Sequence, residues 1–345
     1  MTARPSATYA AAGVDVAAGD EAVRRIAAGL RSLDRPGVLS SIGGFAGRFS
    51  MREGRWRDPV LVATTDGVGT KLEIARALGR LSTVGQDLVA MCVDDLVCTG
   101  AEPIIFLDYV AVGLLDPDKV AELVAGIDAA CLEVGCALLG GETAEHPGVM
   151  AADQFDLAGF AVGVVERDDQ LGADCVREGD ALVALASGGL RSNGYALARH
   201  VLLDVCHRDL AGPAWEGADA TLGDVLLEPS ILYSPHVRRV LSAHPGAIHA
   251  AAHVTGGGLA ANLARALPPN LHGDVDRSGV EVPRVFSELQ RQGGISDDEM
   301  ARTFNLGIGM VLAVDPATAG VVVETLEEGG IDAAAAGVVR DVRAA

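Results

Sequence analysis

A glycine-rich turn between an aspartate and a lysine is the segment of this chain with the clearest potential for chemistry. It reads TTDGVGTK over residues 64–71 and follows an apolar run at 59–63 that is typical of a buried strand. Free backbone N–H groups at a strand-to-helix turn often hold a phosphate. Asp66 would repel a bare phosphate, so its position predicts a divalent cation between the two.

The turn is not the common phosphate loop G-x-x-x-x-G-K-[ST], because the spacing is shorter and Thr70 and Lys71 stand in the opposite order. Lysine occurs only at Lys71 and Lys119, and arginine supplies the other positive charges. The place of Lys71 directly after the glycines predicts a contact with the phosphates. The alternative is an ordinary surface lysine.

A second carboxylate is predicted to lie near the first. On a wheel of the helix predicted over 84–99, Asp95 falls among the apolar positions, whereas Asp87 and Asp94 fall on a face that water can reach. A carboxylate in an apolar stripe is costly unless it is paired or binds a metal. Asp66 and Asp95 therefore predict Mg²⁺ held together with phosphate oxygens and water. A helix cap or a local salt bridge is the alternative for Asp95.

A third polar turn follows the apolar run 137–139, and its first residues are Gly-Gly-Glu142-Thr143. Strand ends of this kind collect at one edge of a sheet, where α/β folds bind ligands. Each turn alone could be an ordinary loop. Together the three turns indicate a magnesium–nucleotide site in the first half.

The second half carries two further glycine-rich segments that begin helices, a common place for anions. In the first, Arg191 could clamp a phosphate through its two-pronged guanidinium group. In the second, His253 ends the preceding strand, where it is either structural or catalytic. The substrate-binding residues predicted from these segments are Ser187, Arg191, Ser192, Asn193, Thr255, Gly256 and Gly257.

Alternating strands and helices over 345 residues predict an α/β (α+β) protein of two domains, 1–170 and 171–345. A formal charge of −20 argues against nucleic acid or an anionic membrane as a partner. The six cysteines form no C-x-x-C pair, and the chain has no apolar run long enough for a signal peptide or a membrane helix. We therefore expect a cytoplasmic protein.

A rival interpretation places a dinucleotide in the second half. Gly256-x-Gly258-x-x-Ala261 fits a degenerate form of the fingerprint, and Asp276 lies where an acid that binds ribose would stand. That would make the protein an oxidoreductase. It would also leave the turn at 64–71 and Asp95 unexplained.

Eight segments of the chain, in the order in which they occur, resemble the aminoimidazole ribonucleotide synthetases, or phosphoribosylformylglycinamidine cyclo-ligases, of purine biosynthesis. The resemblance runs from about Tyr9 to the last predicted strand. The segments are TTDGVGTK, DLVAMCVDDLV, GAEPIIFLDY, GGETAEHPG, FDLAGFAVGVVE, SNGYAL, HVTGGGLAANL and TFNLGIGM.

The resemblance implies an ATP-binding N-terminal domain, whose sheet pairs with that of a second chain to form a barrel in a homodimer, and a C-terminal substrate-binding domain. It implies an ATP-dependent ligase that phosphorylates the amide oxygen of formylglycinamidine ribonucleotide and closes the imidazole ring. The implied cofactors are ATP and Mg²⁺, and a need for K⁺ is left open.

By resemblance, Asp66 and Asp95 hold the metal and Lys71 neutralises the triphosphate, while His253, with the second-half segments, faces the ribonucleotide. Asp66, Lys71, Asp95 and His253 are the expected catalytic residues. The nucleotide would contact Gly43, Gly44, Phe45, Asp66, Gly67, Gly69, Thr70, Lys71, Glu142 and Thr143.

The chain departs from the usual family sequence in three places. Arg191 replaces a histidine, the loop 40–44 reads Ser-Ser-Ile-Gly-Gly, and Ala27 replaces a lysine. Arginine cannot exchange protons near pH 7, so an acid–base role at position 191 would be lost, whereas phosphate binding would not. Two alternatives follow: a related amide-activating cyclase of secondary metabolism, and a nucleotide-binding homologue without activity.

Overall fold

The computed structural model of the protein describes residues 8–9, 12–40, 42–51 and 55–344, and Ser41 of the predicted glycine-rich loop lies outside them. The described chain forms two sheets with helices packed on them, which confirms the α/β class. The strands are β1 (Pro59–Gly67), β2 (Glu102–Val112), β3 (Ala137–Glu145), β4 (Phe155–Glu166), β5 (Ala181–Ala186), β6 (Ile248–His253), β7 (Leu271–Val275), β8 (Ile308–Val314) and β9 (Ala333–Asp341). The helices are α1 (Val16–Gly29), α2 (Leu72–Leu78), α3 (Ser82–Val97), α4 (Pro117–Val134), α5 (Tyr195–Arg199), α6 (Leu222–Leu226), α7 (Tyr233–Ala243), α8 (Gly258–Ala266), α9 (Arg284–Gly293), α10 (Asp297–Thr303) and α11 (Ala319–Glu328).

The first sheet has the order β1-β4-β2-β3. β4 runs antiparallel to both of its neighbours, and β2 and β3 are parallel, so β1, β2 and β3 all point the same way. Side chains alternate between the faces of a strand. One face packs against α3, and the other leaves Leu61, Tyr109 and Phe160 exposed. The sheet is therefore covered by helices on one side only.

The second sheet has the order β6-β8-β5-β9-β7, and every neighbouring pair is antiparallel. Alternate residues of β5 enter two different cores. Val183 and Leu185 pack with residues of α7 and α11, and Leu182 and Ala184 pack with residues of α8. Since both faces are covered, β5 and β8 are apolar almost throughout, as doubly buried strands must be. The two sheets come from segments on either side of residue 170, and the exact domain boundary remains a prediction.

Helix α3 is buried on nearly all sides because it lies between the first sheet, α4 and α7. Most of its length is apolar, as a helix surrounded by protein must be. Its buried carboxylates, Asp87 and Asp94, therefore face protein rather than water, and they hold the two halves of the molecule together.

Sequence reasoning placed most elements within a few residues and failed at others. The first glycine-rich segment of the second half was expected to begin a regular helix, and the structure has the short α5 there, followed by a π-helix at His200–Val205. α6, α7, α10 and β7 were not predicted. α7 in particular carries serine, proline, histidine and two arginines, which hide its apolar stripe.

We expect Asp108 to make the stability of the first sheet depend on pH. Its side chain points to the helix-covered face, where a Cβ on the opposing Gly141 would overlap its Oδ1, and its Oδ2 has no hydrogen-bond partner among the described residues. Burial raises the pKa of Asp108 to about 7. A raised native pKa means that the native state binds the proton more tightly, so stability falls as the pH rises from about 4 to about 7.

Replacing Asp108 by Asn should remove this loss. Between pH 5 and pH 8 we expect the free energy of unfolding of the unaltered protein to fall by about 2–3 kcal/mol more than that of D108N, since one pKa unit is worth about 1.36 kcal/mol. Urea unfolding at both pH values measures the difference, with the exposed Asp174→Asn as control. Parallel pH profiles for the protein and D108N would contradict the account.

Candidate active site

Asp66 lies at the end of β1, where the strand turns into a short 3-10 helix and then α2. Its Oδ1 accepts a hydrogen bond of 2.7 Å from the N–H of Gly67. Burial raises the pKa of Asp66, and the negative charge of Asp95 raises it further, against the lowering effect of the hydrogen bond from the Gly67 N–H. Two nearby carboxylates without a compensating cation are typical of a functional site.

A chain of hydrogen bonds joins Asp95 to the second sheet. Oδ1 of Asp95 lies 2.9 Å from Nδ1 of His253, which is the last residue of β6. Nε2 of His253 lies 3.1 Å from Nη2 of Arg191, and the same Nη2 lies 2.9 Å from Oδ2 of Asp94. Asp94 and Asp95 are neighbours on α3, so the chain of contacts leaves this helix and returns to it.

These contacts fix the protonation of His253. Arginine has only donors, so Nε2 of His253 must accept from Arg191 and carry no proton. Nδ1 then carries the proton and donates a hydrogen bond to Oδ1 of Asp95. Both ring nitrogens are engaged, so in this structure His253 orients the carboxylate of Asp95 rather than standing free to move a substrate proton.

Lys71 does not face the glycine turn, in contrast to the sequence expectation. Its side chain is fully buried, and Nζ lies 2.7 Å from Oδ2 of Asp87 and donates to the carbonyl oxygen of Glu228 at 2.6 Å. The sequence could not reveal these partners, because Glu228 is distant in the chain and Asp87 was expected to face water. Burial lowers the pKa of Lys71, and the charge of Asp87 acts against this.

The helical wheel also misplaced the carboxylates of α3. Asp87 and Asp94, expected on a solvated face, are fully buried, whereas Asp95, expected inside the apolar stripe, has 39% of its side chain exposed. The wheel assumes a helix with one broad solvent-exposed face, whereas α3 is covered by protein over most of its surface. The metal-facing prediction for Asp95 is nevertheless compatible with its partial exposure.

The buried carboxylates bind the segment 228–234 of the second half. Oδ1 of Asp87 accepts from the backbone N–H and the hydroxyl of Ser230. Oδ1 of Asp94 accepts from the N–H groups of Tyr233 and Ser234, which begin α7. A carboxylate at a helix N-terminus satisfies free donors and is favoured by the helix dipole. Arg191 adds a bond of 2.8 Å to the carbonyl of Ile231, so both of its terminal nitrogens contact protein oxygens.

The two glycine-rich segments of the second half meet in the structure. The amide of Asn193 lies against Gly256. Ser192 is buried, and its Oγ has no hydrogen-bond partner among the described residues. A buried hydroxyl without a partner is available to a ligand. Ser187, by contrast, donates to Oδ1 of Asn305 at 2.8 Å and is used inside the protein.

Two asparagines that the sequence analysis missed shape these segments. Asn262 donates to the carbonyls of Gly256 and Gly258 and lies 3.3 Å from the hydroxyl of Thr255. Asn305 donates to the carbonyls of Gly189 and Leu190. Buried amides that bond several backbone groups fix loop shape. The only available signal was their place in two of the quoted segments.

The predicted nucleotide residues that lie outside the turn at 64–71 form a second group, on and beside β3. Gly47, next to the loop of Gly43, Gly44 and Phe45, packs against Leu139, and Phe45 is fully exposed. Glu142 and Thr143 lie on β3 itself. Asp66 and Gly141 share one row of the sheet with two strands between them, a separation of about 14 Å. Within one chain the structure does not bring this group to Asp66.

The dinucleotide interpretation does not agree with the fold. A dinucleotide fingerprint needs a parallel βαβ unit, and the sheet that contains β6 is antiparallel throughout. Gly258 has a structural reason to be glycine, because a Cβ there would overlap the carbonyl oxygen of Ala301.

The donor set at Asp66 and Asp95 fits magnesium. The described residues contain no group of three or more His, Cys, Asp or Glu side chains that could hold a metal. Mg²⁺ is usually bound by one or two carboxylates together with substrate phosphates and waters. Asp66 and Asp95 are close together and their charges are not neutralised, so they meet that requirement. A structural zinc site would need four protein ligands, which these two carboxylates do not provide.

Comparison with known proteins identifies the family of the chain. Residues 55–165 match the N-terminal domain, and residues 177–344 the C-terminal domain, of the AIR synthase related proteins. A phosphoribosylformylglycinamidine cyclo-ligase of Geotalea daltonii is 48% identical over 307 residues, which cover 89% of this chain and 87% of the relative.

Two solved structures share the fold at low sequence identity. Thiamine-monophosphate kinase from Stenotrophomonas maltophilia has a TM-score of 0.64 at 21% identity and covers 93% of both chains. The hydrogenase maturation protein HypE in complex with ATP has a TM-score of 0.65 at 20% identity and covers 92% of this chain and 86% of its own. With both domains matched and a curated relative at 48% identity, the chain belongs to the AIR synthase related protein family.

Proposed function

We propose that the protein is an ATP-dependent cyclo-ligase that converts formylglycinamidine ribonucleotide to aminoimidazole ribonucleotide in purine biosynthesis. The observation that carries the proposal is the 48% identity to a cyclo-ligase along 89% of the chain. No described helix has the length and hydropathy needed to cross a membrane. We also infer a cytoplasmic location, because the cysteines of the described chain are free thiols.

The reaction needs activation of an amide. An amide oxygen is a poor leaving group, and transfer of the γ-phosphoryl group of ATP to that oxygen turns it into a phosphate ester that leaves readily. A neighbouring nitrogen of the same substrate attacks the activated carbon, the C–O bond breaks, and the imidazole ring closes with release of ADP and phosphate. Catalysis of such a transfer consists mainly of positioning and charge stabilisation.

We assign the metal to Asp66 and Asp95. Mg²⁺ bound there would neutralise negative charge on the phosphates. His253 holds the carboxylate of Asp95 in place, and Arg191 holds His253 in its neutral form. The exposed backbone around Gly69 and Thr70 is free for the phosphates. Ser192, Asn193 and the turn at Thr255 then face the ribonucleotide.

Arg191 occupies the place of a family histidine, and its contacts support a role compatible with activity. It is buried, it neutralises Asp94, and its guanidinium group orients His253. None of these contacts requires a group that exchanges protons. Arg191 therefore acts here as a positioning residue for His253 and Asp94, and this role does not depend on proton exchange.

We further propose that two chains pair through the open face of the first sheet. Phe160 lies opposite Leu107 on one neighbouring strand and Thr65 on the other, and Leu61 and Tyr109 are exposed on the same face. A contiguous apolar face of this kind marks an interface. Glu142, which lies opposite Tyr109 on this face, would then approach the partner chain.

Replacing Phe160 by Asp should make the protein monomeric. A buried unpaired carboxylate at the centre of an interface costs several kcal/mol, which corresponds to a loss of affinity of more than about a hundredfold. Sedimentation equilibrium of the protein and F160D measures the state directly. Val321→Asp, at an exposed apolar residue on α11, is the control. A protein that is monomeric without any substitution would contradict the proposal.

The proposed function is tested with purified protein, ATP, Mg²⁺ and formylglycinamidine ribonucleotide. We expect ADP release that depends on the ribonucleotide, and a product lighter than the substrate by one water. ATP binding without ribonucleotide-dependent ADP would contradict the cyclo-ligase assignment. Arg191→His would then show whether the chain is a diverged relative that acts on another amide.

A further inference from the structure

A second cleft opens between the two sheets, away from Asp66. Its volume is about 740 Å³, and it is lined by the first residues of β2 and β6, the last residues of β4 and the C-terminal half of α7. Glu166, which lines it, pairs with Pro59 at the start of β1, whereas Asp66 lies seven residues further along the same strand. That separation is about 23 Å in an extended strand.

Three guanidinium groups converge on one carboxylate in the floor of this cleft. Oε1 of Glu102 lies 2.8 Å from Nη2 of Arg35. Oε2 of Glu102 lies 2.6 Å from Nη2 of Arg55 and 3.0 Å from Nη2 of Arg238. Arg55 and Arg238 thus share a single oxygen atom. Arg238 belongs to α7, and the other members belong to the first half, so the cluster spans the two halves.

The cluster carries more positive charge than its carboxylate can balance. Three guanidinium groups against one carboxylate leave a surplus of two positive charges. Burial lowers the pKa of Arg35 and of Arg238, and the charge of Arg55 lowers each of them further, against the raising effect of Glu102. Like charges forced together in a part-buried site are relieved by an anion.

Two arginines keep donors free for such an anion. Arg35 uses its second terminal nitrogen on the carbonyl oxygens of Pro103 and Ile104, so it is a structural member. Among the residues that the structure describes, Arg55 and Arg238 each contact protein oxygen through Nη2 alone, and both are partly exposed. A guanidinium group has five N–H donors, so each arginine can still offer a two-pronged contact.

The acidic residues that line the cleft do not cancel this charge. Both oxygens of Glu166 accept backbone N–H groups, those of Arg57 and Asp58. The remaining acids, Asp168, Asp169 and Asp174, lie at exposed positions of two 3-10 turns. Water screens exposed charges far more than part-buried ones. The floor of the cleft is therefore positive in a strongly acidic protein.

We infer that this cleft is a second anion site, in which Arg55 and Arg238 bind the oxygens of a phosphate group. Each guanidinium group can donate two parallel hydrogen bonds to two oxygens of a phosphate group. A chloride ion would accept only one donor from each arginine and would therefore bind less tightly. Because the two arginines come from different halves of the molecule, the bound anion stabilises their arrangement. The inference does not depend on the proposed reaction.

The test is the binding of inorganic phosphate, measured by thermal unfolding and by calorimetry in EDTA, against sodium chloride at equal ionic strength. EDTA removes the divalent cation that phosphate binding at Asp66 would need. Arg239 is the matched control, since it follows Arg238 on α7 and pairs with Glu328 elsewhere. The proteins are the unaltered chain, R55Q, R238Q, R238K and R239Q.

We expect phosphate to raise the melting temperature of the unaltered chain and of R239Q equally. In R55Q and R238Q the apparent dissociation constant for phosphate should rise at least about tenfold. In R238K it should rise less, because lysine keeps the positive charge but cannot make the two-pronged contact of a guanidinium group. Equal binding by all five proteins, or no stabilisation of the unaltered chain, would overturn the inference. Arg55 is half exposed, so R55Q remains a fair test if R238Q does not fold.

Discussion

Replacing Lys71 by Met is expected to lower the free energy of unfolding by about 3–5 kcal/mol, and the same change at Lys119 by less than about 0.5 kcal/mol. The chain has only these two lysines. Lys71 is fully buried against Asp87, whereas Lys119 is exposed and its nitrogen lies 3.8 Å from Asp116. The pair therefore compares one buried and one surface ion pair within one protein.

The large cost comes from the charge left behind. Without Lys71, Asp87 keeps the two hydrogen bonds from Ser230 but loses its counter-ion inside the protein. The carbonyl of Glu228 also loses its donor. A buried charge without a partner costs several kcal/mol, and a methionine of similar length limits any loss from packing.

Urea unfolding of the unaltered chain, K71M, K119M and the double variant K71M/D87N measures these changes in the free energy of unfolding. The double variant should recover part of the loss, because the amide of Asn carries no charge. A K71M protein as stable as K119M would show that Lys71 is not buried as described. It would also restore the expectation that Lys71 faces the phosphates.

Replacing Asp66 by Asn is expected to lower kcat at least about a hundredfold and to raise the melting temperature of the ligand-free protein. The first effect follows from loss of a magnesium ligand, since metal-ion stabilisation of transferred phosphate is worth several kcal/mol. The second follows from the site's own electrostatics.

Burial and the charge of Asp95 raise the pKa of Asp66 above its unfolded value. A raised carboxylate pKa stabilises the native state only at low pH, and this contribution is lost as the pH rises through the native pKa. Near neutral pH the ionised Asp66 therefore costs stability, and the uncharged amide of Asn avoids that cost. Its oxygen can still accept the bond from Gly67.

Asp156→Asn is the matched control. Oδ1 of Asp156 accepts from the N–H of the next residue at 2.9 Å, as Oδ1 of Asp66 does, but Asp156 is exposed on β4. We expect Mg²⁺ with ATP to raise the melting temperature of the unaltered chain and of D156N, and to have little effect on D66N. A D66N protein that is less stable without ligand, or equally active, would contradict the assigned role.

Much of the fold was predictable because its signals are local. The apolar run before Asp66, the alternation of elements and the glycine turns gave the class and most strands to within a few residues. Asp66, Asp95 and His253 were singled out from residue type and position, and the structure brings them together.

The partners of the buried charges were not predictable. Lys71 and Arg191 were expected to bind phosphate, since a cation beside a glycine turn usually has that use, but Asp87 and Asp94 reach them from α3. The helical wheel could not show this, because it assumes one broad solvent-exposed face, whereas most residues of α3 are buried. A single sequence shows which residues are charged, and only the packing of one half on the other shows which charges meet.

The central claim is that ATP phosphorylates the amide oxygen of the substrate before the ring closes. The most direct test uses formylglycinamidine ribonucleotide with ¹⁸O in its formyl group, followed by mass spectrometry of the released phosphate. The account predicts that the label leaves the substrate in inorganic phosphate, one atom for each ADP formed. Label recovered in water, or ADP formed without label in phosphate, would contradict it.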